Sequence, residues 1–180
     1  MNVTETPIEG LLIIEPRVFN DLRGCFFESF SLREFRRISG LHYIDFVQDN
    51  ESHSTHGVIR GLHFQRGDHA QAKLVRVTSG RVLDVAVDLR PGSTTYGQHF
   101  SIELSADNKL QLFLPRGFAH GFAVLSPEAV LQYKVDNYYC PESEGGISPT
   151  DPTLAIDWHI DATHAILSPK DLALPPFLPA

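Results

Sequence analysis

The sequence predicts a mainly β protein folded as a jelly roll or related barrel with few short helices. Three observations carry this: apolar residues alternate with a period of two, turn chemistry interrupts them at short intervals, and long amphipathic helical segments are scarce. Without strands alternating with such helices, a parallel βαβ sheet has no support.

Each element follows from local pattern. In Arg81 to Leu89 the odd positions Leu83, Val85, Val87 and Leu89 are apolar while Asp84 and Asp88 are charged, which predicts a half-buried strand. Arg90-Pro91-Gly92-Ser93 supplies its exit. Gln98 to Leu104 repeats the logic, with Phe100, Ile102 and Leu104 on one face and His99, Ser101 and Glu103 on the other. The turn-like Ser105-Ala106-Asp107-Asn108 follows, and a further strand is expected near Gln111. Lys73 to Val77 and Val130 to Val135 read as strands as well. The one clear helix is Ser31 to Ile38, where Ser31 and Glu34 have capping-box spacing and Gly40 is placed to stop it. It is expected to pack outside the barrel. The proline-rich end, Leu174 to Ala180, reads as an extended tail.

A chain of 180 residues, 42% hydrophobic, suffices to bury one core, so residues 1–180 are expected to form a single domain. The first residues lack the basic region and apolar run of a signal peptide, and Leu11 to Ile14 is far too short to cross a bilayer. The expectation is a cytoplasmic protein with no membrane partner. Cys25 and Cys140 lie far apart without zinc or redox spacing, so free thiols are expected. The net charge of -7 argues against nonspecific binding to nucleic acid or anionic membranes. An anionic ligand then needs a local basic pocket.

Two segments half-match metal motifs. Gly57, five intervening residues and His63 begin the first motif of the cupin barrels, but Gln65 stands where a second histidine belongs and the glutamate is missing. Pro115-Arg116-Gly117-Phe118-Ala119-His120 is similar to the second motif and keeps its histidine. The scaffold is thus cupin-like, a double-stranded β-helix, with a dismantled ligand set. A three-histidine set of His63, His69 and His120 is an alternative by residue type, although Arg66 to His69 reads as an exposed loop. His53 and His56 read as surface loop residues.

Without a metal, His63 retains a use: a neutral imidazole abstracts a proton near pH 7 when a carboxylate fixes its tautomer, and Asp171 is a candidate partner. Lys73 is placed to stabilise an enolate and Tyr133 to reprotonate it from the opposite face. Each has an ordinary alternative: a half-buried structural histidine, a solvated turn acid, a strand-end lysine and a core-filling aromatic.

The runs Arg60-Gly61-Leu62-His63-Phe64-Gln65, Pro115 to Phe122, Tyr133-Lys134 with Tyr138-Tyr139, and Leu154 to Trp158 together resemble the dTDP-4-dehydrorhamnose 3,5-epimerase family, in order over nearly the whole chain. The resemblance implies a cupin-type barrel, a homodimer, no metal or cofactor, and epimerisation of a dTDP-linked 4-keto-6-deoxy sugar on the route to rhamnose. It implies His63 as base with Asp171, Lys73 for the enolate, Tyr133 as acid and His120 in the sugar pocket. It further implies Arg23 and Arg60 at the diphosphate, Glu28, Gln48 and Asn50 at the nucleotide, Phe26 stacked on thymine, and Glu144 and Lys170 as further contacts. The segment carrying Arg23 and Glu28 would cross to the neighbouring subunit. One stretch departs: after Glu144 the family has an arginine and then a tryptophan, where this chain reads Gly145-Gly146-Ile147-Ser148-Pro149. That leaves open a relative that inverts carbon 3 alone; a ketoisomerase and, more distantly, a metal-dependent cupin enzyme are the other readings.

Overall fold

The computed structural model describes residues 1–179. In chain order the strands are β1 (Asn2–Glu5), β2 (Leu12–Glu15), β3 (Val18–Asp21) and β4 (Gly24–Phe27), then, after helix α1 (Leu32–Ser39), β5 (Gln48–Thr55), β6 (Ile59–Gln65), β7 (Lys73–Ser79) and β8 (Arg81–Asp88). β9 (His99–Ser105), β10 (Gln111–Leu114), β11 (Phe118–Val124), β12 (Glu128–Val135) and β13 (Glu144–Gly146) follow, and α2 (Pro169–Leu172) comes last. A six-stranded sheet runs β1-β2-β10-β7-β12-β5 and a five-stranded sheet β13-β6-β11-β8-β9, while β3 and β4 form a separate hairpin. All strand pairings are antiparallel, as a jelly roll requires.

Alternation along each strand sorts side chains into three apolar layers. Val75, Val77, Leu112, Leu114 and Leu131 of the six-stranded sheet meet Val82, Ala86, Leu104, Phe118 and Phe122 of the other, forming the interior. The outer face of the six-stranded sheet is covered by α1, whose Phe35 packs with Leu12, Ile14, Leu74 and Phe113. The helix starts and stops where the sequence predicts: Ser31 accepts from the Glu34 backbone N–H, and Gly40 closes the end in the left-handed region at φ 71°. The Glu34 side chain pairs with Arg37 instead of completing the capping box.

The outer face of the five-stranded sheet is covered too, by Ile147, Leu154, Trp158 and Phe177 of the C-terminal segment against Ile59, Leu83, Val85 and Val87. This corrects the half-buried reading of β8, whose residues are buried from Val82 through Asp88. Leu83 and Val85 face the C-terminal cover, so Asp84 lies inside the barrel. The proline-rich end is extended as expected but docked: Ser148 donates to the Pro175 carbonyl, the Phe177 N–H donates to Asp151, and the Phe177 ring lies over Gly97. His53 belongs to an edge strand, β5, and not to a loop; its ring is exposed and paired with Glu51.

Candidate active site

The barrel interior is apolar at one end and polar at the other. Continuing the inward-facing positions of β7, β8, β11 and β12 past the apolar core brings Lys73, Asp84, His120 and Tyr133 into one region. β6 adds His63, directly opposite His120 across the β6–β11 pair. A cavity of about 560 Å³ opens here, lined by His63, Lys73, His120, Tyr133 and Asp171 together with Arg60, Glu144 and Lys170. Eight residues singled out from sequence therefore converge on one wall-to-wall site, although they come from positions as distant as 60 and 171.

Asp171 is a buried acid, not a solvated turn residue, with only 3% of its surface exposed. It sits in the first turn of α2, and its Oδ1 lies 2.6 Å from His63 Nε2. Ser168 caps this helix and locks the carboxylate reciprocally: its hydroxyl donates to Asp171 Oδ2 at 2.8 Å and accepts from the Asp171 N–H at 3.0 Å. The short His–Asp contact requires a proton between the two groups, which places it on Nε2 and leaves Nδ1 as the basic nitrogen. Burial holds the His63 imidazole below its ordinary value, against the upward pull of Asp171.

Lys73 is 9% exposed, so it is no ordinary strand-end lysine. Burial pushes its ammonium down to about 8, against the attraction of Asp84 and Glu144. Its Nζ stands 5.8 Å from the Tyr133 ring centroid. Burial raises the Tyr133 phenol, with Arg60 drawing it the other way. The fully buried Asp84 accepts from His120 Nε2, at 3.1 and 2.9 Å to its two oxygens, a second His–carboxylate pair in which His120 lines the cavity and Asp84 lies behind it.

At the rim, Glu144 joins two segments, receiving Tyr139 Oη at 2.8 Å and Lys170 Nζ at 2.6 Å. Those two donors hold its carboxyl below the ordinary value even though burial acts in the opposite direction. Arg60 Nε donates to Ser54 Oγ at 3.1 Å and its Nη2 to the His53 carbonyl at 3.3 Å, fixing the guanidinium beside β5. Gln48 and Asn50 on β5 are bonded to each other at 2.8 Å and do not line this cavity. Asn50 lines a neighbouring cavity of about 290 Å³, which shares Tyr133. Arg23, Phe26 and Glu28 are exposed on or beside the β3–β4 hairpin and line neither cavity; Arg23 is paired with Asp21.

His69 ends an exposed 3-10 turn outside the cavity, and among the described residues no group of three His, Cys, Asp or Glu side chains is arranged to hold a metal ion. Gln65, where a cupin metal site has histidine, accepts from the Cys140 N–H at 2.9 Å. The Gly145–Gly146 departure forms β13 against β6, with Gly146 opposite His63. Sequence reasoning missed Ser52, Tyr139 and Ser168 in the cavity wall, and Asp84 behind His120. Ser168 carried a legible signal, since Ser-Pro-Lys-Asp is an N-cap with proline at the first helical position.

A two-sheet barrel that gathers acid–base side chains at one polar end, with a hydrogen-bonded carboxylate behind each of two histidines, defines a cupin-type isomerase. Comparison with known proteins gives the family: the dTDP-4-dehydrorhamnose 3,5-epimerase model matches residues 5–178, and the chain belongs to that family. The dTDP-4-dehydrorhamnose 3,5-epimerase of Escherichia coli K12 is 57% identical over 95% of this chain and 91% of its own. That of Salmonella typhimurium is 51% identical over 97% and 94%. The crystal structure of the Elizabethkingia anophelis enzyme superposes with TM-score 0.93 at 54% identity, covering 98% of this chain and 96% of that one. A Legionella pneumophila 3,5-epimerase in complex with dTDP-4-keto-L-rhamnose gives 0.91 at 46% identity, covering 99% of each chain. No helix among the described residues is long and apolar enough to cross a membrane.

Proposed function

We propose that the chain inverts carbons 3 and 5 of dTDP-4-dehydro-6-deoxy-D-glucose to give dTDP-4-dehydro-L-rhamnose, with His63 as base, Lys73 at the enolate and Tyr133 as acid. The observation that carries this reading is the convergence of the His63–Asp171 pair, Lys73 and Tyr133 on one cavity. A carbon beside the C4 ketone loses its proton to His63 Nδ1, and Asp171 stabilises the resulting imidazolium. The electron pair moves onto the ketone oxygen, where the buried Lys73 ammonium meets the developing charge in a low-dielectric setting. Tyr133 returns a proton from the opposite face, and its raised phenol remains protonated and ready to donate at neutral pH.

Diphosphate recognition falls to Arg60, whose forked guanidinium suits two phosphate oxygens. His120, Glu144 and Lys170 contact the sugar end and the rim. Gln48 and Asn50 serve the nucleotide. Arg23, Phe26 and Glu28 lie too far out to serve the cavity of their own chain, so we assign them to a second subunit's site in a homodimer, with the β3–β4 hairpin crossing over. No metal or cofactor is required, and the enzyme works in the cytoplasm.

The test is proton exchange in heavy water with the 4-keto substrate, in the presence of a chelator, followed by NMR. Deuterium at both carbons, lost in His63→Ala, is the expected result. Label at carbon 3 alone would reassign the chain to single-centre epimerases such as the 3'-monoepimerase of Streptomyces bikiniensis, which is 32% identical over 98% of this chain and 87% of that one, with TM-score 0.87. No label at either carbon overturns the reading.

A further inference from the structure

Two glutamines of the cavity wall are oriented by one short stretch of backbone. Gln65 Oε1 accepts from the Cys140 N–H at 2.9 Å, and Gln71 Nε2 donates to the Asn137 carbonyl at 2.8 Å. A backbone N–H only donates and a backbone carbonyl only accepts, so neither amide is free to flip. That leaves over the amide nitrogen of Gln65 and the carbonyl oxygen of Gln71. Neither atom has a partner among the described residues, and neither is sealed from solvent. Both residues line the cavity of about 560 Å³, Gln65 with only 8% of its surface exposed.

Their places in the chain set them beside the reacting groups. Gln65 lies two residues after His63 on β6, and side chains two apart in a strand share a face. Gln71 lies two residues before Lys73 in the run that leads into β7; both line the cavity, while Ala72 between them is fully buried. One free donor thus stands next to the base and one free acceptor next to the lysine. Ionised phosphate oxygens only accept, so a wall that offers an acceptor as well as a donor matches a hydroxyl, which does both.

We propose that Gln65 and Gln71 bind the carbon-2 hydroxyl of the sugar, Gln65 donating to it and Gln71 accepting from it. The assignment rests on the proposed reaction, which holds the sugar between His63 and Lys73. With a ketone at carbon 4 and no hydroxyl at carbon 6, the ring carries free hydroxyls at carbons 2 and 3 alone. Inversion moves the carbon-3 hydroxyl across the ring, whereas the carbon-2 hydroxyl keeps its configuration in substrate, enolate and product. It is therefore the one that stays on a fixed donor–acceptor pair while the reaction runs, and it keeps the ring in register between base and acid.

The experiment is calorimetric titration of wild type, Gln65→Met and Gln71→Met with dTDP, with the non-reacting dTDP-glucose and with dTDP-2-deoxyglucose. Wild type is expected to bind dTDP-glucose about ten-fold more tightly than the 2-deoxy analogue, as two neutral hydrogen bonds to one hydroxyl allow. In each variant that preference should shrink to about three-fold or less, with the dTDP Kd unchanged. The comparison is between two ligands on one protein, so a general loosening of the wall cancels; if one variant fails to fold, the other carries the same test. Equal affinity of wild type for the two sugars, or a full preference surviving in either variant, overturns the glutamine assignment alone. A parallel loss for all three ligands overturns it too, since the glutamine would then serve only to seat residues 137–140. Failure of wild type to bind dTDP overturns the functional reading along with it.

Discussion

His63 and Asp171, 108 residues apart, meet at 2.6 Å because α2 carries the carboxylate against the strand that carries the imidazole. The carboxylate is the chief group drawing the His63 value upward, against burial. Base catalysis needs the neutral imidazole, so activity falls as pH drops through the His63 value, which lies below 6.5. Asp171→Asn removes the upward pull, and its acid limb in kcat/KM moves to lower pH. The maximal rate is expected to drop about 100-fold or more, since the amide no longer stabilises the imidazolium. A pH–rate profile of the variant checks both; an acid limb at unchanged pH would disconnect Asp171 from the base.

Lys73 ties activity to stability in opposite senses. In the proposed reaction its ammonium acts charged at the enolate, while burial pushes it down to about 8 from the 10.5 of an ordinary lysine. The rate is therefore expected to fall on the alkaline side of about pH 8. Between these two values the unfolded chain binds more protons than the folded one, so the Lys73 contribution to stability rises with pH across that window. Below it the buried charge costs on the order of 3 kcal/mol. Lys73→Met is expected to lose about 100-fold or more in kcat while melting at a higher temperature at pH 7, with that advantage shrinking as pH rises toward 10.5. Melting curves at several pH values, set beside the rates, decide it.

The pattern of residues made the barrel legible, because a period of two marks strands whichever way they face. It misplaced Asp84, because alternation of charged and apolar residues reads as solvent against core. Here one face of β8 packs under the C-terminal segment and the other, with Asp84 beside Val82 and Ala86, belongs to the barrel interior, so both are buried. Local spacing reveals α1 through its caps. It does not reveal that Asp171 reaches His63, or that the tail returns to seat Phe177 on Gly97, since those contacts are made by the closed chain. The roles proposed for His63, Lys73 and Tyr133 rest on chemistry and resemblance.

Gly145 faces Phe64 so closely that a Cβ there would lie 2.6 Å from one ring carbon, and 2.9 Å from the Arg66 guanidinium stacked over that ring. The Phe64 ring that occupies this space from the β6 side also lines the cavity. Gly145→Ala is expected to lower stability by about 1–3 kcal/mol through overpacking. In a Phe64→Leu background the penalty should shrink, because the smaller side chain vacates the contact. Urea unfolding of the four proteins in this cycle measures the coupling. An unchanged penalty would place the strain elsewhere in β13.

Tyr133→Phe separates the two halves of the reaction. His63, Asp171 and Lys73 remain, so the proton beside the ketone is still removed and the enolate is still held. With no hydroxyl on the opposite face, the intermediate is reprotonated mostly by the imidazolium that formed it, returning the original configuration. In heavy water the variant is therefore expected to incorporate deuterium into recovered substrate while epimer formation falls by about 100-fold or more. Mass spectrometry of the substrate pool reads the first and NMR the second. Loss of exchange in step with inversion would mean that the phenol acts in proton removal itself, and that the base and acid assigned to the two faces must be exchanged.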